Sequence, residues 1–357
     1  MLTVSSGQVV HVGAREVRSK NHESVCFDNS LRPMPSVATL SVTIAHAVCE
    51  RMVGMTSDTI PHRAPYMDRI NRGTWRRRGP LRQFGTASGW LEPGEQVAIG
   101  YVAPFVRDTP ILDIGVGGGR TAPLLAALSA DYRGIDYLGE MIALARRRFP
   151  AFSFLEMDAR RLSFPDQSFR LVTFSYNGID SVDLAGRMAI LQETYRVLVP
   201  GGYFVFSALN LDGPSRGDHW LDLRALNSAG LSPVRLLRAA AHFALGALNG
   251  LRLRSRTRTS HAVAIGNVSA HNFGLITLFT SVGEQLRQAR ECGFEVDAVI
   301  DPSGRRIALA GKPSDAAWHY FIVQKPTSAG ERQVAAISRD GATARVVPSQ
   351  SEARTNM

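Results

Sequence analysis

Ile111-Leu112-Asp113-Ile114-Gly115-Val116-Gly117-Gly118-Gly119-Arg120 is a short apolar run that ends in a carboxylate and turns through glycines into a helical pattern. The run reads as a buried strand. Glycine at 115, 117 and 119 lets the backbone pass close beneath a flat ligand, where a Cβ would collide with it. Asp113 is then placed to attract an ammonium group, directly or through water, which suits a cationic amino-acid ligand better than a pyrophosphate. A G-x-G-x-x-G dinucleotide fingerprint starting at Gly115 needs glycine at position 120. Arg120 stands there, which disfavours a nicotinamide-dependent oxidoreductase. Alone, such a turn is also simply a tight way to join a strand to a helix.

Outward from this turn, apolar runs alternate with helical patterns, as in βαβ units feeding a parallel sheet. Helices are expected at Thr121 to Ser129, Glu140 to Arg148 and Val182 to Leu198, the second stopped by Pro150 and the third by Pro200-Gly201-Gly202. Strands are expected at Tyr132 to Ile135, Phe152 to Glu156, Leu171 to Ser175, Tyr203 to Ala208, Phe294 to Ile300 and Trp318 to Val323. Ser281-Val282-Gly283-Glu284 has the form of a capping box opening a helix to Cys292. Asp136 closes the second strand about twenty residues beyond the first turn, where a ribose lying across the sheet offers two hydroxyls. An acid there can also serve as a helix N-cap.

With these residues in register, the chain from about Ile111 to Lys325 resembles the class I S-adenosylmethionine-dependent methyltransferases. Gly134-Ile135-Asp136-Tyr137-Leu138-Gly139-Glu140-Met141 looks like the family's second strand and following helix. Met157-Asp158-Ala159 resembles the third-strand motif whose acid accepts from the adenine amine, and Val197-Leu198-Val199-Pro200-Gly201-Gly202 the turn before strand five. The resemblance implies S-adenosylmethionine held by Asp113, Gly115, Gly117, Gly119, Asp136, Tyr137, Met141, Asp158, Ala159 and Ser175. It implies a Rossmann-like, three-layer αβα fold on a seven-stranded, mostly parallel sheet whose last strand is antiparallel. Phe169-Arg170-Leu171-Val172 departs from the pattern, since the family commonly has an acid before strand four.

The family's chemistry is in-line transfer of a methyl group, which mainly requires alignment and exclusion of water, with no metal. Ser175-Tyr176-Asn177-Gly178-Ile179-Asp180 follows strand four, so these residues should lie beside the departing methyl. Tyr176 is a candidate to orient the acceptor or to face the sulfonium, and Asn177 to hydrogen-bond either partner. For a hydroxyl acceptor the candidate bases are His271, His219 and Asp180. The expected activity is methylation of a small molecule. The rivals are a non-catalytic S-adenosylmethionine-binding module and a methyltransferase acting on nucleic acid or protein. No N-P-P-Y signature follows strand four, and no nucleic-acid partner is expected.

Residues 1-85 mix Ser, Pro, Arg and His without a sustained period and are expected to be a poorly ordered extension, apart from a helix at Ser36 to Arg51. The catalytic domain is expected over 86-326. Within it, Thr86 to Arg107 should form a helix covering the cofactor pocket, and 209-278 a helical cap inserted outside the sheet. The tail at 327-357 is expected to be disordered. Within the cap, Pro233 to Arg254 has Leu236, Ala240, Phe243 and Ala247 at helical spacing, with arginines toward its end. That basic surface is open to three readings: a solvated face, a site for an acidic substrate, or peripheral contact with lipid. The formal charge of +10 is almost wholly arginine, with lysine only at Lys20, Lys312 and Lys325, which is as consistent with a codon habit as with a polyanion site. Cys26, Cys49 and Cys292 are far apart, and no apolar segment is long enough to span a bilayer. A cytoplasmic protein is expected, with its oligomeric state open.

Overall fold

The computed structural model describes residues 60–86, 89–214, 233–268, 270–308 and 314–327. The helix expected at Ser36 to Arg51, His219 and the tail beyond 327 lie outside the described residues. The strands are β1 (Ile111–Ile114), β2 (Tyr132–Asp136), β3 (Ser153–Glu156), β4 (Phe169–Phe174), β5 (Leu198–Leu209), β6 (Arg258–Thr259), β7 (Val263–Val268), β8 (Leu275–Thr280), β9 (Glu295–Ile300) and β10 (Trp318–Gln324). The helices are α1 (Pro65–Trp75), α2 (Arg78–Thr86), α3 (Pro93–Val106), α4 (Ala122–Ala126), α5 (Gly139–Arg148), α6 (Leu184–Val197), α7 (Pro233–Leu253) and α8 (Val282–Glu291).

The main sheet has seven strands in the order β3-β2-β1-β4-β5-β10-β9. Strands β1 to β5 pair in parallel, and β10 runs antiparallel to both β5 and β9, as expected for the last strand. Because the side-chain period of a strand is two, β5 feeds both faces: Phe204, Phe206 and Ala208 join one apolar layer, Tyr203 and Val205 the other. Helices α6 and α8 close the first layer through Ile190, Leu191, Leu286 and Ala289. Helices α3, α4 and α5 close the second through Ala98, Val102, Leu125 and Ile142. Each fully buried ring, such as Phe204, contributes about 1.5–3 kcal/mol. The chain reverses direction of travel across the sheet between β1 and β4, and the crevice beyond their carboxyl ends is where ligands bind in such sheets.

Three expectations are corrected. Residues 65–85, assigned to a loose extension, belong to α1 and α2, and α2 ends at Thr86. Helix α1 is anchored through polar groups: Asn71 donates to the carbonyls of Ile276 (2.7 Å) and Ser181 (2.8 Å) and accepts from the Ile276 amide (3.0 Å). Thr74 donates to Gly274 O at 2.7 Å. Asn71 thus satisfies backbone groups of β8 as a neighbouring strand would.

Second, α3 does not cover the crevice. Ala98, Ile99, Val102 and Val106 are buried against the sheet, while Val97, Tyr101 and Phe105 face outward. Third, the cap is not wholly helical, because β6, β7 and β8 form an antiparallel sheet of three strands beside α7. Leu275–Thr280 is an apolar, β-branched run between Gly274 and Ser281, and all of it is buried. Among the described residues no helix is long and apolar enough to cross a membrane.

A buried polar cluster joins the turn after β4 to α6 and α8. Arg187 donates to Asp180, to Gln288 (2.9 Å) and to Gln285 (2.6 Å), and the Asp180 carboxylate also accepts from Leu209 N at 2.6 Å. Burial raises the Asp180 carboxyl above its ordinary range, and Arg187 opposes the shift. Asp180 is therefore a structural anchor, and the candidacy as a base falls. Arg187→Met would leave this carboxylate buried and unpaired, so urea unfolding is expected to show a loss of about 3–5 kcal/mol. A loss under about 1 kcal/mol would show that the pair is not a structural anchor.

Candidate active site

The turn after β1 is built for close approach. Gly115 has φ +66°, and a Cβ on it would meet the Phe174 ring at 2.6 Å. Gly117, at φ +54°, has open space where a Cβ would stand, with Phe84 nearest at 4.0 Å, and its N–H donates to Asp136 Oδ2 at 3.0 Å. The loop therefore presents bare backbone to the crevice.

Asp113 does not face that crevice. Its carboxylate is fully buried and accepts from Thr121 Oγ1 (2.6 Å), Thr173 Oγ1 (2.9 Å) and the Tyr132 hydroxyl (3.0 Å). Thr173 is its register partner on β4, which puts the two side chains on one face of the sheet. Burial raises the carboxyl while the hydroxyls hold it down. The ammonium-binding role expected of it is corrected: the carboxylate is buried beneath the turn on three hydroxyls and does not line the pocket. Gly119 is also outside the crevice, turned toward the Phe149 ring.

The other cofactor candidates converge. Gly115, Gly117, Asp136, Tyr137, Met141, Asp158, Ala159, Ser175 and Tyr176 line one pocket at the carboxyl ends of β1 to β4. Asp136 accepts from the amides of Gly117 and Leu138 (2.9 Å), and burial pushes its carboxyl up to about 6. Asp158 is engaged by Arg160 at 2.6 and 2.9 Å and by Arg72 at 3.3 Å, which hold it below the usual carboxylate range. The Arg160 backbone N–H adds a fourth bond at 3.0 Å, so the roughly four acceptor positions of this carboxylate are filled, and a further donor would have to displace the long contact from Arg72.

Residues from α1 and α2 complete the wall, and sequence reasoning missed them. Asp68, Trp75 and Phe84 line the pocket. Arg72 donates to Tyr137 O at 3.1 Å, and its guanidinium lies 4.2 Å from the centre of the Tyr137 ring. Met67, Asn71 and Thr74 recur at helical spacing, which is the one signal that pointed to α1, but two of the three are polar.

Tyr176 is held from behind. Arg120, buried and paired with Glu95 through two contacts of 2.8 Å, lies 4.7 Å from the Trp90 ring centre and 5.1 Å from that of Tyr176. Tyr176 has left-handed backbone (φ 59°), and its ring stands nearly perpendicular to that of Phe84. Asn177 is also left-handed, donates from its backbone to Ser207 Oγ at 2.8 Å, and does not line the pocket. His271 packs edge-on against Trp75 at 4.8 Å, behind the pocket wall, where burial lowers its pKa.

Residues 111–202 match the model of a methyltransferase domain. The chain is 38% identical over 97 residues to a demethylmenaquinone methyltransferase of Chlorobaculum tepidum, covering 27% of this chain and 39% of that protein. It is 34% identical over 160 residues to a demethylmenaquinone methyltransferase of Thermus thermophilus, covering 43% of this chain and 64% of that protein. The chain thus spans less than two thirds of the length of either curated relative. A S-adenosylmethionine-dependent methyltransferase structure from Methanosarcina mazei aligns with a TM-score of 0.42 at 20% identity, covering 64% of this chain and 98% of that one. With its parallel sheet, its glycine turn and this domain match, the stretch 111–202 is a methyltransferase domain of the S-adenosylmethionine-dependent type, whose cofactor is S-adenosyl-L-methionine.

Proposed function

We propose that this protein transfers a methyl group to a planar, largely apolar acceptor of the quinol class. One observation carries the reading: a single pocket has bare glycine backbone and Asp136 on its sheet side and the rings of Trp75, Phe84 and Tyr176 on its outer side. The sheet side fits S-adenosylmethionine, because Asp136 is an acceptor for a diol and Gly117 leaves the space that a Cβ would fill. When bound, that cofactor supplies a methyl group on a positively charged sulfur.

The chain's own residues do the rest. Asp136 would take the ribose hydroxyls and Met141 and Ala159 the faces of the adenine, while Asp158 would take its amine in exchange for the 3.3 Å contact from Arg72. Trp75, Phe84 and Tyr176 would hold a flat ring and exclude water, so that alignment supplies most of the rate. The pocket-lining carboxylates are Asp68, Asp136 and Asp158, and two of these, Asp68 and Asp158, already bind arginines. His271 lies behind the wall. The arrangement therefore favours an electron-rich ring or an anionic oxygen, acceptors that need no deprotonation by a side chain. Two relatives named for demethylmenaquinone support the quinone class.

Asp136→Asn is expected to weaken S-adenosylhomocysteine binding by about tenfold to a hundredfold in calorimetry, the cost of a hydrogen bond to a charged acceptor. Because burial raises the Asp136 carboxyl to about 6, wild-type affinity should be full at neutral pH and fall as pH drops through about 6. The Asn variant should be weak and flat with pH; an unchanged pH dependence would move the titration to another group. Trp75→Ala is expected to lower kcat/KM for a demethylated quinol about tenfold or more, with S-adenosylhomocysteine affinity within about threefold. His271→Ala should leave the shape of the pH–rate profile unchanged. Cofactor binding by the wild type with no turnover of any quinol would instead support a binding module.

A further inference from the structure

Helix α7 presents three leucines to solvent. Its buried positions include Gly246, Asn249 and Leu253, whereas Leu245, Leu248 and Leu251 are 42, 64 and 58% exposed. A surface helix of a globular protein ordinarily directs its leucines at the core. The helix contains no Asp or Glu, and the stretch 233–258 carries Arg235, Arg238, Arg252, Arg254, Arg256 and Arg258 without one acidic residue.

Beside the exposed leucines lies a cleft of about 540 Å³ between α1 and the end of α7. Arg69, Arg77, Arg252 and Arg256 line it together with Tyr66 and Ser255, and no carboxylate is among the lining residues. Arg252 follows Leu248 by four positions and Leu245 by seven, so helical geometry puts this arginine on the flank that bears the leucines. Exposed aliphatic side chains and a concentration of guanidinium groups therefore share one surface.

We propose that this surface docks on an anionic lipid bilayer, the leucines entering the boundary between headgroups and acyl chains and the arginines taking lipid phosphates. Charge complementarity selects this occupant. A second copy of the same face would bring two clefts of four arginines together, and a soluble anion in the cleft would leave three exposed leucines unaccounted for. Aliphatic leucines offer no stacking platform for nucleic-acid bases. The length and polar flank of α7 fit a helix lying in the interface plane. Helix α1 contributes Arg69 to this cleft and Trp75 to the catalytic pocket, so the bilayer would lie one helix away from the site. The inference does not depend on the acceptor proposed above.

Flotation of the full chain with vesicles tests it. Wild-type protein is expected to float with phosphatidylglycerol/phosphatidylcholine vesicles at low salt, and not with phosphatidylcholine alone. Arg69→Gln/Arg252→Gln should weaken vesicle binding about 25-fold, at about fivefold per charge. Leu248→Ser/Leu251→Ser should abolish stable binding while S-adenosylhomocysteine affinity, the control for folding, is retained. Absence of wild-type flotation, equal flotation with both vesicle types, or leucine-independent flotation would each overturn the proposal. So would sedimentation showing a dimer that the leucine variant dissociates, which would assign the face to a second copy, or leucine-independent capture by a polynucleotide.

Discussion

The carboxylate of Asp113 is the point on which the site depends. A buried charge is expensive unless hydrogen-bonded, and here three hydroxyls from three different elements satisfy it. Tyr132 opens β2, Thr173 stands on β4, and Thr121 precedes α4, so one side chain ties the end of β1 to both neighbouring strands and to the first helical turn. The glycine turn hangs between these fixed ends. Its amide at Gly117 can therefore meet Asp136 across the strand gap, and the bare backbone of the loop stays open toward the crevice. The residue that reads as a ligand group is in effect the clamp that shapes the ligand's bed.

A second buried charge extends the same logic to the outer wall of the pocket. Arg120 occupies the place where a dinucleotide fingerprint has glycine, and its side chain runs back to Glu95 at the start of α3. The guanidinium is flat, and the rings of Trp90 and Tyr176 lie within reach of it. Tyr176 thus gains a partner that offsets the cost of its left-handed backbone. A smaller residue at position 120 would take from Glu95 its buried charge partner and from that ring its guanidinium contact.

The seven strands were legible because each is an apolar run between turn residues; six lie within two residues of their expected bounds, and β5 starts five residues before Tyr203, taking in the expected Pro200-Gly201-Gly202 turn. The acids at strand ends were legible in position, less so in role. Asp136 lines the pocket as expected, but the partners that remove Asp113 from it are spread from position 121 to 173, and no local pattern links them. The helix Pro233–Leu253 was also found, though its faces were not, because periodicity shows a stripe and not which way it points. The cap sheet escaped because Gly266 and Asn267 break the apolar alternation of β7. Helix α1 escaped because its inner face is Asn71 and Thr74, which bury well only when a strand edge supplies their partners.

That polar inner face gives α1 a role that a greasy helix would not have. Asn71 and Arg72 are adjacent, so their side chains leave the helix about 100° apart. One completes the hydrogen bonding of β8 in the cap; the other reaches Tyr137 O and Asp158 beside the pocket. Three residues on, Thr74 holds the cap at Gly274 while Trp75 enters the pocket wall. The cap sheet and the pocket wall are therefore both held by α1, through two neighbouring pairs of residues. Apolar packing alone would allow the helix to slide, whereas directional hydrogen bonds on one side and a guanidinium stacked on Tyr137 on the other fix both its rotation and its register.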